Sequence, residues 1–78
     1  MYYTYAIKSL SANYIYVGIS DNPERRISQH NKGYNRTTKP YIPYKILLIE
    51  EYDDRQLARK REKYLKSGIG KEYLKNLN

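Results

Sequence analysis

The sequence predicts an α+β fold: a small central three-stranded antiparallel sheet flanked by helices, in the order β-β-α-β-α-α. Three observations carry that expectation. Two stretches near the amino terminus alternate in hydrophobic character around a short turn, two later stretches repeat apolar residues at helical spacing behind good capping residues, and one continuous aliphatic run lies between those two. With 78 residues the chain is read as a single domain, 1–78. A domain of that size buries only around 60% of the surface its unfolded chain exposes, so its core has to be thin.

The first strand spans residues 2–9, with Tyr3, Tyr5 and Ile7 on one face. The second spans 14–19, where Ile15, Val17 and Ile19 alternate with Tyr14, Tyr16 and Gly18. Leu10 to Asn13 form the turn, and the hairpin brings Tyr5 and Tyr16 together if both emerge on the same face. Asp21 or Asn22 then caps a helix that opens with Pro23, carries Glu24 in its first turn and runs to about Lys32, where Gly33 ends it. Its i, i+3, i+4, i+7 stripe is Pro23, Arg26, Ile27 and His30. An unpaired buried guanidinium is costly, so this stripe is expected to border a cleft where Arg26 meets an anion.

Tyr34 to Tyr44 is polar, basic and broken by Pro40 and Pro43, as a surface loop should be. Ile46 to Ile49 is apolar on both alternating faces and is expected to form the middle strand of the sheet. Asp53 or Asp54 caps a second helix from about Arg55 to Lys66, ended by Ser67-Gly68. Leu57, Ala58, Tyr64 and Leu65 form its apolar side, with Glu62 at the margin among Arg59, Lys60, Arg61, Lys63 and Lys66. A last helix from Lys71 to about Leu77 closes the fold, with Tyr73, Leu74 and Leu77 packing inward.

Fifteen Lys and Arg against eight Asp and Glu leave a net charge of +7, which favours a polyanionic partner, nucleic acid first. The absence of cysteine rules out disulfides and thiolate zinc sites. Neither a secretory leader nor an apolar run of membrane-spanning length is visible, so a cytoplasmic location is expected.

Tyr3-Thr4-Tyr5 and Tyr16-Val17-Gly18, ten residues apart, followed by a helix with Arg26 and His30 and a later helix with Glu62, resemble the GIY-YIG nuclease superfamily over nearly the whole chain. The two triplets stand where the family has Gly-Ile-Tyr and Tyr-Ile-Gly. Ile19-Ser20 departs from members that place a lysine there, and Asn76 or Asn78 are candidates for the asparagine many members carry near their end. The resemblance implies a metal-dependent endonuclease that hydrolyses phosphodiester bonds in DNA, RNA not being excluded, within DNA repair or recombination. Tyr5 and Tyr16 then flank the scissile phosphate, one as general base once nearby positive charge has lowered its pKa and the other orienting water or phosphate. Which is which stays open. Arg26 grips the phosphate oxygens, and His30 orients a tyrosine hydroxyl or relays its proton. Glu62 holds one divalent cation, Mg²⁺ or Mn²⁺. Gly18 permits a close approach of the phosphate or the helix.

Arg25, Lys32, Arg36, Lys39, Arg59, Lys60, Lys63 and Lys66 are expected to supply the phosphate contacts. Two other classes compete with the enzyme: a non-catalytic basic module binding DNA or RNA, and a protein-interaction module docking an acidic partner. A targeting partner protein or a homodimer is compatible with any of them.

Overall fold

The computed structural model describes residues 1–77. Its elements are β1 (Tyr2–Ser9), β2 (Ile15–Ser20), α1 (Pro23–Asn31), a 3₁₀ turn (Lys39–Tyr41), β3 (Tyr44–Tyr52), α2 (Arg55–Lys66) and α3 (Gly68–Lys75). Both strand pairs are antiparallel, as expected.

The strand order is β2-β1-β3, so the middle of the sheet is β1 and not the aliphatic run of β3. Thr4 to Ile7 of β1 are buried on both faces, whereas Ile46 and Ile49 of β3 are 52% and 39% exposed. A bulge accounts for the misleading pattern. Ala6 pairs with Leu48 and Ile7 with Ile46, leaving Leu47 as the extra residue. Leu47 and Leu48 therefore pack on the same cluster, and Ile46 and Ile49 lie at the margin of the opposite face. The nine-residue α1 leaves them uncovered.

The sheet divides the interior in two. Tyr5 and Ile7 pack with Ile27 of α1 and with Tyr44, joined at the border by Tyr14, Tyr16 and Ile42. On the other face Ala6 and Val17 pack with Leu65 of α2 and Leu74 of α3, bordered by Ile15, Leu47 and Leu48. Thr4 ties β1 to α2 on this face, its hydroxyl donating to the Ala58 carbonyl at 2.7 Å.

Local capping fixes the helix starts. The Asn22 side chain accepts from the Arg25 N–H at 3.1 Å and Asp54 accepts from the Leu57 N–H at 2.9 Å, so the second residue of each candidate pair is the cap. Ser67 closes α2 and also caps α3, accepting from the Gly70 N–H at 3.2 Å. That double use starts α3 at Gly68, three residues before the sequence expectation, and turns only Gly70 and Leu74 inward. Tyr73 and Leu77 are exposed, contrary to expectation, and so are Leu57 and Tyr64 of α2. Those tyrosines have another use: the Arg61 guanidinium lies 5.1 Å from the Tyr64 ring centre and 5.5 Å from that of Tyr73. It also donates twice to Glu50 of β3, at 2.8 and 3.2 Å, and so links β3, α2 and α3.

Gly70 sits where a Cβ would collide with the Tyr64 carbonyl and the Leu65 backbone, while Gly68 faces open space. Gly70→Ala is expected to lower stability by about 1–3 kcal/mol through overpacking. Gly68→Ala should leave it unchanged or raise it by up to about 1 kcal/mol. Urea unfolding followed by circular dichroism checks both.

Candidate active site

The β1–β2 register pairs Tyr5 with Gly18 and Ile7 with Tyr16. Tyr5 is laid across Gly18: a Cβ there would stand 2.7 Å from the Tyr5 hydroxyl oxygen, 2.8 Å from its Cζ and 3.1 Å from Tyr16 Cε2. The neighbour that this glycine admits is the phenol itself, rather than the phosphate or helix the sequence led one to expect. An aromatic ring covering a glycine on an edge strand protects backbone that would otherwise be bare.

At the end of that ring the Tyr5 hydroxyl meets His30 Nε2 at 2.9 Å, and the other imidazole nitrogen, Nδ1, meets Thr38 Oγ1 at 2.8 Å. Thr38 gives its own proton to the Asn35 carbonyl at 3.4 Å. Nδ1 therefore carries the hydrogen, and Nε2 accepts from Tyr5. The Tyr44 hydroxyl donates to the Thr38 carbonyl at 2.9 Å and fixes the loop. Tyr5 is 1% exposed, and His30 and Thr38 are fully buried. The stripe of α1 thus differs from expectation: Pro23, Ile27 and His30 face the core, and only Arg26 stands half-buried at its rim. Arg26 Nη1 donates to Gln29 Oε1 at 3.1 Å.

Burial governs the ionisation of this pair. It pushes the Tyr5 phenol up to about 12, with Tyr16 adding to the rise, Arg26 opposing it and Glu62 reinforcing it. For Tyr5 this reverses the lowering expected from nearby cations. His30 is driven from the ordinary 6.5 down to about 4, by burial and then by Arg26, so it is neutral near pH 7. Tyr16 differs in being half-exposed, its ring 4.8 Å from the His30 ring and 6.3 Å from that of Tyr5. Tyr5 and Tyr16 do share a face, as the hairpin required.

Glu62 belongs to α2, which packs on the other side of the sheet. Ala58, Glu62 and Leu65 follow the i, i+4, i+7 stripe of α2, so the acid belongs to the inward row and its side chain is only 13% exposed. Its oxygens face Lys66 Nζ at 3.2 Å and Arg59 Nε at 3.8 Å. Arg26 and Glu62 both act on the Tyr5 phenol. α1 and α2 pack on opposite faces of the sheet.

A model of the GIY-YIG catalytic domain matches residues 1–76. The chain belongs to the GIY-YIG family. A UPF0213 protein of Clostridium perfringens (strain 13 / Type A) is 33% identical over 67 residues, 85% of this chain and 71% of that protein. No solved structure matches. Family membership places this GIY-YIG domain in a nuclease superfamily.

The eight basic residues named as phosphate contacts of the GIY-YIG domain are all exposed. Arg59 and Lys66 stand at Glu62, whereas Lys60 lies beside Tyr52, Leu57 and Arg61, away from the tyrosine pair. Arg25 lies 3.9 Å from Asp21. Asn76 is exposed at the end of α3, and Asn78 lies outside the described residues. Among the described residues no group of three or more His, Cys, Asp or Glu could hold a metal ion, and no helix is long and apolar enough to cross a membrane. Thr38 is the site residue that sequence reasoning missed. Its only signal is that a buried histidine needs a partner on each ring nitrogen, and the adjacent Thr37 fits that requirement equally well.

The unfolded chain takes up a proton at His30 near pH 6.5, while the folded chain resists it until about pH 4. Stability tied to neutral His30 is therefore complete above pH 6.5 and lost as the pH falls towards 4, a loss of roughly 3 kcal/mol. Urea midpoints across that window should fall more steeply for the native chain than for His30→Gln. Gly18→Ala should cost about 1–3 kcal/mol by the same measurement, since the Tyr5 ring must move off its glycine.

Proposed function

We propose that this GIY-YIG domain is a metal-dependent endonuclease that hydrolyses phosphodiester bonds in DNA, with Tyr16 as its general base. What supports this reading is the contrast within the tyrosine pair. Tyr5 is sealed against His30 and Gly18, while Tyr16 beside it is only partly buried, and Arg26 and Glu62 both act on the Tyr5 phenol.

Arg26 presents a planar fork to the non-bridging phosphate oxygens and can exchange its Gln29 contact for them. Tyr16, as its phenolate, takes a proton from the water that attacks phosphorus. The new P–O bond forms as the bond to the leaving oxygen breaks, and that oxygen departs with a proton from solvent. Tyr5 and neutral His30 position rather than react: the buried hydrogen bond holds the floor on which Tyr16 rests.

Glu62 fits a hard divalent cation, because it offers carboxylate oxygens in a site without soft ligands and sits between two cationic side chains that take the place of metal charge. Magnesium or manganese there, with phosphate and water oxygens completing its shell, would neutralise charge developing on the phosphate.

Supercoiled plasmid and flapped duplexes, incubated with and without Mg²⁺ or Mn²⁺, test the reading. Cleavage should require the metal. Glu62→Gln and Arg26→Ala should each slow it by about 100- to 1,000-fold. Tyr16→Phe should slow it by about 100- to 10,000-fold while leaving DNA binding intact. Tight binding without metal-dependent cleavage by the native chain would instead identify a non-catalytic DNA- or RNA-binding module.

A further inference from the structure

The sheet has two free edges, and they are guarded differently. β2 is six residues long and lies beside Lys66, Lys71 and Lys75. β3 is nine residues long and leaves Ile46 and Ile49 exposed on the face of α1. On the face of α2, Leu57 and Tyr64 are exposed too, and together with Arg61 they line one hollow with Tyr52 of β3. Apolar surface therefore flanks the β3 edge on both faces. A row of unpaired backbone groups between two such flanks is a template for another strand.

We propose that the free edge of β3 pairs with the same edge of a second copy of this chain, antiparallel about a two-fold axis, so that two sheets join into one. The inference is independent of the nuclease reading. Charge chooses the occupant. Lys45 stands at the start of β3 and is paired with Lys8 of β1, which makes that end basic. Glu50 and Glu51 stand near the other end, followed by Asp53 and Asp54, so four of the eight acids in a chain of charge +7 fall within five residues. Glu50 is held by Arg61 and Asp54 caps α2, which leaves Glu51 and Asp53 as the exposed acids of that end.

An antiparallel copy sets each basic end against an acidic end, and symmetry makes the match twice. A parallel copy would set lysine against lysine and acid against acid. A partner strand of uniform charge would be repelled at one end or the other. The faces agree with the charges. A two-fold axis perpendicular to the sheet keeps the α1 face of both copies on one side, so Ile46 and Ile49 meet their counterparts, while Leu57 and Tyr64 cover the joined strands on the other. β2, with Tyr16, stays at the outer edge of each half, and the candidate site remains open to substrate.

Sedimentation equilibrium on the full chain reads the association directly. The mass should rise from one chain to two with concentration, and hydrogen exchange should slow in parallel at β3 amides but not at those of β2. Ile49→Lys, at an exposed position, should keep the circular dichroism of the native chain and weaken association by about tenfold or more, because the dimer would bury its charge. Lys8→Glu with Lys45→Glu makes both ends of the edge acidic, and Glu51→Lys with Asp53→Lys makes both basic. Each double variant alone should associate about tenfold more weakly than the native chain, and an equimolar mixture of the two should recover the association as a heterodimer.

A native chain that stays monomeric at every concentration would overturn the proposal. So would a dimer that Ile49→Lys leaves unchanged, one whose slowed amides lie in β2, or charge variants that do not recover on mixing. Plasmid cleavage is a separate readout: a dimer that cuts nothing removes the nuclease and keeps this interface, and a monomer that cuts does the reverse.

Discussion

The Tyr5 phenol and the His30 imidazole are both shut away from water, and each satisfies the other across 2.9 Å. A buried polar group left without its partner costs about 1–3 kcal/mol, and here one break would orphan a group on each side. The positions of four segments follow from that constraint. Tyr5 belongs to β1, His30 to α1, Thr38 to the loop that holds the second ring nitrogen, and Gly18 to β2, where it makes room for the ring. Arg26 takes its place at the rim because His30, one turn further along α1, is anchored inside.

The charges are arranged around a neutral centre. Most of the fifteen lysines and arginines are exposed, while the titratable pair at the middle holds no charge near neutral pH. A low-dielectric, uncharged floor beneath a cationic rim suits a reaction in which negative charge builds on a phosphate, because rim charges are less screened there than in water. Glu62 is the exception among the charges. It occupies an inward row of α2, and Lys66 and Arg59 accompany it because a partly buried carboxylate needs compensation.

What could be read in advance was whatever local chemistry decides. Pro23 and the Asn22 cap fix the start of α1, Gly33 with its φ of 79° follows its end, and Asp54 fixes the start of α2. The succession of strands and helices along the chain was legible as well, but not which strand lies inside the sheet. Ile46 to Ile49 contains a bulge, and an extra residue shows only when the partner strand is known. Ser67 ends one helix and begins the next, so reading it as a terminator alone displaced α3. Within the site, the motif marked Tyr5, Tyr16, Arg26, His30 and Glu62, and the Tyr5, Tyr16 and His30 rings lie together. The buried state of Tyr5, and with it the direction of its pKa, depends on packing between distant segments, which no local pattern encodes.

β1 contributes to both halves of the interior, Tyr5 and Ile7 to one and Ala6 to the other, and it hydrogen-bonds along both of its edges. Neither half can therefore melt as a separate unit, because each loses a wall when this strand leaves. The domain should behave as a single cooperative block in which β1 amides open only through global unfolding. A domain of this size has no spare layer to absorb local disorder, so the buried floor under Tyr16 is as rigid as the fold is stable, and distant substitutions that weaken β1 act on the Tyr5–His30 pair as well.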